Sequence, residues 1–205
     1  DTHRYMRIDS AAAEAVNLLP KADHPSQFGS IFGVLNRCNS KMGSRTLERW
    51  LRQPLLSTAD INARLDVVEL LKESPGARSA LQDGPLKGLP DVDAIIAKIS
   101  KGAASLTEVW RLYLFTRSLA GVTTALKECL QEGGDQTEAE DGKSATYGGA
   151  MARQKQTLHT RLFAPLQEIS TKFDLFRQLV EHVVDFDQLP DLVVSPQHDP
   201  LLMEL

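Results

Sequence analysis

Residues 42–55 read MGSRTLERWLRQPL, and this stretch indicates the helical character of the whole chain. Gly43 opens a predicted helix whose apolar residues recur at spacings of three and four, the pattern of one helical face. These residues are Leu47, Trp50 and Leu51. Pro54 ends the helix, because proline has no N–H to donate and restricts the residue before it.

The next helix begins at a Ser or Thr cap within LLSTAD (55–60). It places Ile61, Leu65 and Val68 on one face, and Pro75-Gly76 stops it. A weaker helical turn is predicted over residues 77–82. These signals extend the helical pattern well beyond the first stretch.

Two more helices follow a turn-rich segment. Residues 91–100 read DVDAIIAKIS and carry an apolar stripe at helical spacing, made of Val92, Ile95, Ile96 and Ile99. Ser105 and Glu108 then form a capping box in front of an apolar run. The helix that it starts is predicted to continue past Gly121 to about Leu130.

Before this first stretch, residues 5–9 predict a short strand or extended segment. A short helix follows, with Asp9 or Ser10 as its cap. Residues 28–38 then predict a helix that buries three apolar side chains at helical spacing. These are Phe28, Ile31 and Leu35.

The composition changes abruptly at residues 132–150, which are rich in glycine and hold five acidic residues. Such a stretch predicts a solvated, disordered loop. Pro165 then starts the last long helix. Its apolar seam alternates spacings of three and four and consists of Leu166, Ile169, Phe173, Phe176, Val180 and Val183. One short strand is expected near 192–195.

These predictions define an all-α fold with six to eight helices and at most short strands at the ends. Abundant Leu and Ala with only 6% aromatic residues support the same class. We expect three regions: residues 1–131 as the first part of a helical domain, 132–157 as a flexible acidic insertion, and 158–205 as a long helix and its continuation.

Charge and cysteine content narrow the classes of function. The net charge is −4, whereas a free-standing nucleic-acid binder is usually basic. Cys38 and Cys129 are far apart and in no metal-like spacing, which suits a reducing compartment. No apolar run approaches the roughly 20 residues that span a bilayer. The chain begins without Met, which suggests a fragment of a longer parent protein.

Candidate catalytic motifs are weak. Gly142-Lys143-Ser144 resembles the end of a phosphate-binding loop, but Thr137 stands where that loop needs glycine. The five histidines show no paired metal-ligand spacing. Acidic pairs such as Asp91 and Asp93 are more simply explained as residues of a helix's first turn. We therefore predict no catalytic, cofactor-binding or metal-binding residue in this chain.

A basic cluster is the one strong charge asymmetry, because residues 37–52 hold five basic residues and one acidic residue. Arg45, Arg49 and Arg52 recur at i, i+4 and i+7 on one helical face. They are candidate contacts to DNA phosphate or to an acidic partner. The alternative is a solvated face, or arginines that bond to the ends of neighbouring helices.

Taken as one unit, MGSRTLxxWLxxPL (42–55) followed by IxxRLxxV (61–68) resembles the core signature of the MutS family of DNA mismatch repair proteins. The matching positions are Gly43, Arg45, Trp50, Pro54, Leu55 and Arg64. The surrounding residues fit more diffusely over nearly the whole chain, and the ending is most similar to the family's eukaryotic members. Residues 132–157 look like a lineage-specific insertion.

The resemblance implies the lever region of a larger machine that joins a mismatch-binding domain, a DNA clamp and an ATPase. The segment itself would be non-catalytic and would couple the ATPase mechanically to the DNA-contacting domains. ATP and Mg²⁺ would then be bound elsewhere in the parent protein. The implied partners are mismatched double-stranded DNA and another MutS-homologue subunit in a heterodimer, and the implied location is the nucleus.

Within such a lever we expect Gly43 to permit close approach of two helices, and Arg45 and Arg64 to tie helix ends together. Two other classes of function remain open. A helical scaffold or docking module without a DNA function would show internal repeats of about 30–47 residues, and no consistent period is found. The negative net charge of the chain disfavours an autonomous DNA-binding domain.

Overall fold

A computed structural model of the protein describes residues 4–21, 27–131, 144–185 and 193–194. The described residues form ten α-helices and one pair of two-residue strands, which confirms the all-α prediction. The first five helices are α1 (Ser10–Ala15), α2 (Ile31–Leu35), α3 (Lys41–Arg52), α4 (Thr58–Glu73) and α5 (Pro75–Asp83). The others are α6 (Val92–Ser100), α7 (Leu106–Gln131), α8 (Ser144–Leu158), α9 (Ala164–Lys172) and α10 (Asp174–Val183). Strands β1 (Val184–Asp185) and β2 (Val193–Val194) pair antiparallel.

Local capping explains where several helices begin. The Asp9 carboxylate accepts a hydrogen bond from the Ala12 N–H at 2.7 Å, and the Ser57 hydroxyl accepts one from the Asp60 N–H at 3.3 Å. Both residues satisfy N–H groups that the first turn of a helix leaves unpaired. The predicted caps of α1 and α4 are therefore confirmed.

The main apolar core joins helices that are distant in sequence. Its buried members come from α4, α5, α7 and α8, and Phe163 from the turn after α8 and Leu166 from α9 pack against them. The buried set is Leu70, Ala77, Leu81, Ala125, Leu126, Cys129 and Leu158. A smaller cluster holds α10 and β1 on α7 through Tyr113, Val180 and Val184. Residues 4–21 and 27–56, the described part of the chain before α4, contribute no member to either cluster.

A wide π turn (His159–Phe163) connects α8 to α9. Within it, the Ala164 N–H donates to the carbonyl of His159, five residues back. The next residue is Pro165, which has no N–H and cannot continue a regular α-helical bond pattern. The predicted start of a helix at Pro165 is thus close to the observed start of α9. The last helix is interrupted at Phe173, so α9 and α10 are separate elements.

The structure corrects the prediction for residues 28–38. The helix covers only Ile31–Leu35, because Ser30 caps it through a 3.0 Å bond from the Gly33 N–H. Phe28 is 76% exposed, and Ile31 and Leu35 are also exposed. The helical spacing is real, but no described part of the chain covers this face.

The loop prediction for residues 132–150 is wrong from Ser144 onward. Helix α8 begins there and packs along α4. Residues 132–143 lie outside the described residues, so the flexible insertion stays a prediction for that part. The composition gave the wrong prediction here because small and polar residues also form a helix when it packs against a neighbouring helix.

Within the described residues, no helix is both long enough and apolar enough to cross a bilayer.

Candidate functional site: helix α3 and its polar attachments

Helix α3 carries the signature sequence, and it lies at the surface. Ser40 caps it, with its hydroxyl oxygen accepting from the Gly43 N–H at 3.1 Å. None of the twelve residues of α3 is buried. Its position therefore depends on a few specific contacts rather than on the apolar core.

Gly43 faces the chain just before its own helix. A Cβ atom at this position would lie 3.2 Å from the Ser40 hydroxyl oxygen and 3.3 Å from Cβ of Cys38. The expected close approach of two helices is therefore wrong. What Gly43 permits is the tight packing of residues 38–40 against the first turn of α3.

Arg45 joins α3 to the start of α6, 46 residues away. Its guanidinium donates two hydrogen bonds to the two oxygens of Asp91 and a third to Asp93, all at 2.7 Å. Bidentate pairing of this kind is among the stronger forms of ion pairing. Arg45 lowers the pKa of Asp91 to about 2, and the pKa of Arg45 is raised chiefly by Asp91. We call this three-residue cluster the Arg45 ion cluster.

The polar connection continues from α6 to α7. The Lys98 ammonium donates to Glu108 at 2.5 Å, and the Ser105 N–H donates to the same carboxylate at 3.0 Å. The Ser105 hydroxyl also bonds to it. The hydrogen bond from Lys98 is the main cause that lowers the pKa of Glu108 to about 2, followed by those from Ser105. The predicted capping pair is present, but it also serves as an ion pair between helices.

Arg64 and Trp50 form a second attachment of α3. The guanidinium carbon of Arg64 lies 3.6 Å from the centre of the Trp50 ring, so α4 holds α3 by a cation–π contact. Leu55 forms an isolated antiparallel bridge with Tyr5, and the Pro54 carbonyl accepts from the Met6 N–H at 2.8 Å. This pairing confirms the first part of the extended segment that was predicted for residues 5–9.

The three arginines of the predicted basic face do not have equal surroundings. Arg45 is engaged in its ion cluster, and Arg52 donates to Glu48 at 3.0 Å. Arg49 is exposed between them. Contact of this face with DNA or an acidic partner stays a prediction, and the structure leaves Arg49 and Arg52 as the more accessible candidates.

The long-range pairing was not predictable from the residues near Asp91. The helix dipole alone accounts for an acidic residue at the start of α6. No residue near Asp91 in the sequence indicates a partner 46 residues earlier. Within the described residues, no group of three His, Cys, Asp or Glu side chains could hold a metal ion. The ion pairs of Arg45 with Asp91 and of Lys98 with Glu108 attach helices to one another.

We predict that acid weakens these attachments. A carboxylate whose folded pKa is depressed stabilises the fold above its unfolded pKa and loses that contribution as the pH falls through the folded value. For Asp91 and Glu108 the ordinary values are 3.8 and 4.5 and the folded values are both about 2. The stabilisation should therefore be complete above about pH 5 and disappear between about pH 4.5 and 2.

Urea midpoints measured at several pH values would check this. Glu108→Gln should be less stable than the wild type at neutral pH and should lose less stability in that acid window. Glu128→Gln is the matched control, because Glu128 is exposed near the other end of the same helix. Parallel pH profiles for the wild type and Glu108→Gln would contradict the prediction.

The fold and these contacts define a helical domain that carries the signature sequence on a surface helix, and comparison with known proteins identifies its family. The model of MutS domain III matches residues 11–193, so the chain belongs to the MutS domain III family. The resemblance seen in the sequence is thereby confirmed.

Individual relatives agree with this assignment. The chain is 32% identical to the DNA mismatch repair protein MSH2 of Zea mays, over 90% of this chain and 18% of that protein. It is 30% identical to MSH2 of Arabidopsis thaliana, over 100% of this chain and 20% of that protein. Spellchecker 1 of Drosophila melanogaster is 28% identical over the same shares. The chain thus spans about a fifth of the length of the relatives that it matches.

Proposed function

We propose that this chain is a non-catalytic lever segment of a DNA mismatch repair protein, and that it couples an ATPase domain to domains that bind and clamp mismatched DNA. Membership of the MutS domain III family supports the role in mismatch repair. The relatives named above are mismatch repair proteins. Because the chain spans only a fifth of their length, the other activities belong to a longer parent protein.

The way in which α3 is attached carries the mechanical part of the proposal. Helices α4, α5, α7 and α8 share a close-packed apolar core, which resists deformation. Helix α3 has no buried residue and is held by the Arg45 ion cluster and the Arg64–Trp50 contact. Rigid-body motions exchange ion pairs at the interfaces between bodies, while the interior of each body stays close-packed. The segment therefore combines a stiff body with an element that can be repositioned.

The remaining features of the proposal concern the parent protein. The sequence of this chain contains no complete phosphate-binding loop, since Thr137 replaces a required glycine. We therefore assign ATP and Mg²⁺ to another part of the parent protein. A nuclear location and a heterodimer with another MutS-homologue subunit are part of the same proposal.

Charge reversal at Arg45 tests the coupling. Coupling is the factor by which one ligand changes the affinity for another. In the parent protein, Arg45→Glu should leave the affinity for ATP alone, and for mismatched DNA alone, nearly unchanged. The factor by which ATP changes the affinity for mismatched DNA should move towards one, because α3 is no longer fixed to α6.

Two further variants make this test specific. Arg45→Glu combined with Asp91→Arg restores an ion pair of opposite polarity and should recover part of the coupling. Lys127→Glu makes the same charge change at an exposed position of α7, away from the Arg45 ion cluster, and should leave the coupling unchanged. The proposal fails if Arg45→Glu preserves full coupling while hydrogen exchange shows that α3 has been released.

A further inference from the structure

Ser40 lies in a basic segment to which the proposed function assigns no role. Residues 37–41 read RCNSK, with an arginine three residues before the serine and a lysine directly after it. Protein kinases select their substrates by charge patterns of this kind, and an arginine three residues before the acceptor serine is a common one. Two serines of the chain have an arginine at this distance, Ser10 and Ser40. Both are therefore candidate acceptors of a phosphoryl group.

The backbone around Ser40 suits recognition by a kinase. Residues 36–40 form neither helix nor strand, and Ser40 itself has an extended backbone. An extended segment presents its side chains to the pockets of a peptide-binding site. Arg37 is exposed, and among the described residues its side chain bonds only to the carbonyl oxygens of Gly33 and Asn36. The charge of Arg37 is thus available to an acidic site on a kinase.

A cavity with basic side chains lies beside Ser40. It has a volume of about 440 Å³ and lies between the start of α3, the segment before α6, and helices α6 and α7. The basic residues of its lining are Lys41, Lys98 and Arg111. Within the described part of the chain, Lys41 and Arg111 form no ion pair. Ser40 also lines the cavity, so a phosphate on its hydroxyl would lie in a basic environment.

The carboxylates of this cavity do not cancel its positive charge, because each already has a basic partner. The pairs are Asp91 with Arg45 and Glu108 with Lys98. The charges of the two unpaired cations of the lining remain. A phosphoserine carries a charge of about −1.5 to −2 at neutral pH, which matches two cations.

Ser10 has the opposite surroundings. It is the first residue of α1, and the carboxylate of Asp9 directly before it caps that helix. A phosphate on Ser10 would lie next to this negative charge and would compete with it for the same N–H groups. The two serines share the spacing of their arginines but differ in charge environment, so the structure favours Ser40 as the acceptor.

We propose that Ser40 is a phosphorylation site for an arginine-directed serine kinase, and that Lys41 and Arg111 hold the phosphate at the first turn of α3. The Ser40 hydroxyl oxygen bonds to the γ-phosphorus of ATP, the bond from that phosphorus to the bridging oxygen breaks, and ADP leaves. The hydroxyl proton passes to a base of the kinase. The phosphate also accepts from N–H groups that the first turn of a helix leaves unpaired. Modification therefore fastens α3 to α7, whether or not the domain couples an ATPase to DNA.

Phosphorylation of the full-length parent protein tests the site. The probe is ATP with a purified serine kinase that selects arginine three residues before its acceptor. Mass spectrometry should find phosphate on Ser40, and Arg37→Gln should lower the rate of its addition several-fold. Arg7→Gln is the matched control, because it removes the corresponding arginine before Ser10 and should leave the rate at Ser40 unchanged. Absence of phosphate from Ser40, or faster addition at Ser10, would overturn the assignment.

Hydrogen exchange at the start of α3 tests where the phosphate is held. The amides of residues 41–44 should exchange several-fold more slowly in the phosphorylated protein than in the unphosphorylated one. Arg111→Gln should still be phosphorylated but should lose much of this slowing. Lys127→Gln removes a positive charge from another exposed position of α7 and should keep the slowing. Equal slowing in the wild type and Arg111→Gln would overturn the role of Arg111, and faster exchange after phosphorylation would overturn the fastening of α3.

Discussion

Shortening Leu158 to alanine should lower the free energy of unfolding by about 3 kcal/mol, within the range of roughly 2–5 kcal/mol known for buried leucines. Leu158 is 0% exposed and is part of the main apolar core. The substitution removes apolar contacts and leaves a cavity among α4, α5 and α7 that their packing can only partly close. Urea denaturation of the chain measures the loss.

Leu162→Ala is the matched control for this prediction. Leu162 is the same residue type one turn later, in the π turn, and it is 37% exposed. Its truncation should cost less than about 1 kcal/mol, as expected for a site outside the core. If the two alanine variants were equally stable, Leu158 would not be an anchor of the core.

The importance of Leu158 follows from its place in the chain. It is the last residue of α8, a helix that begins within the acidic stretch whose composition predicted a loop. Apart from this anchor, α8 packs chiefly along α4. Packing of Leu158 between helices that precede the acidic stretch makes α8 part of the same body.

Sequence signals predicted the helices best where capping and breaking residues are local. The ends of α3, α4 and α7 lie within one or two residues of their predictions, because proline and hydroxyl caps act on their own turn. The buried face was harder to predict. Helical spacing identifies a face but cannot show whether a neighbour covers it, as Phe28 and Leu65 demonstrate by their exposure.

The candidate site shows the same limit at the level of single residues. The resemblance pointed to Arg45 and Arg64, and the structure shows each of them in contact with another element. Their partners were not predictable, since Asp91 lies 46 residues from Arg45. Such pairs depend on the fold as a whole, and one sequence without its fold does not specify them.

Two kinds of attachment therefore coexist in this domain. Apolar packing fixes the long helices, while α3 depends on ionic and cation–π contacts at the surface. Salt screens exposed ion pairs but affects buried packing little. The attachment of α3 should accordingly be the more sensitive of the two to salt, as the proposed lever function requires.

A different ion pair contributes to the packing of α8 on α4, and its loss should lower the free energy of unfolding. Arg153 on α8 donates to Asp66 on α4 at 2.8 Å, and Asp66 is buried while Arg153 is largely exposed. Arg153→Leu leaves the charge of Asp66 without its partner. Removing one partner of a fully buried ion pair lowers the free energy of unfolding by about 3–5 kcal/mol. Because Arg153 is exposed to water, we expect about 2 kcal/mol, measured by urea denaturation.

The double variant shows whether the stranded charge is the cause. Asp66→Asn removes the charge with little change of shape, so Arg153→Leu combined with Asp66→Asn should recover much of the lost stability. A double-mutant cycle separates this interaction from the individual effects. Arg161→Leu is a useful comparison, because its partner Asp60 is less buried and the cost should be smaller. If the double variant were as unstable as Arg153→Leu, packing by the arginine side chain, and not its charge, would hold α8 on α4.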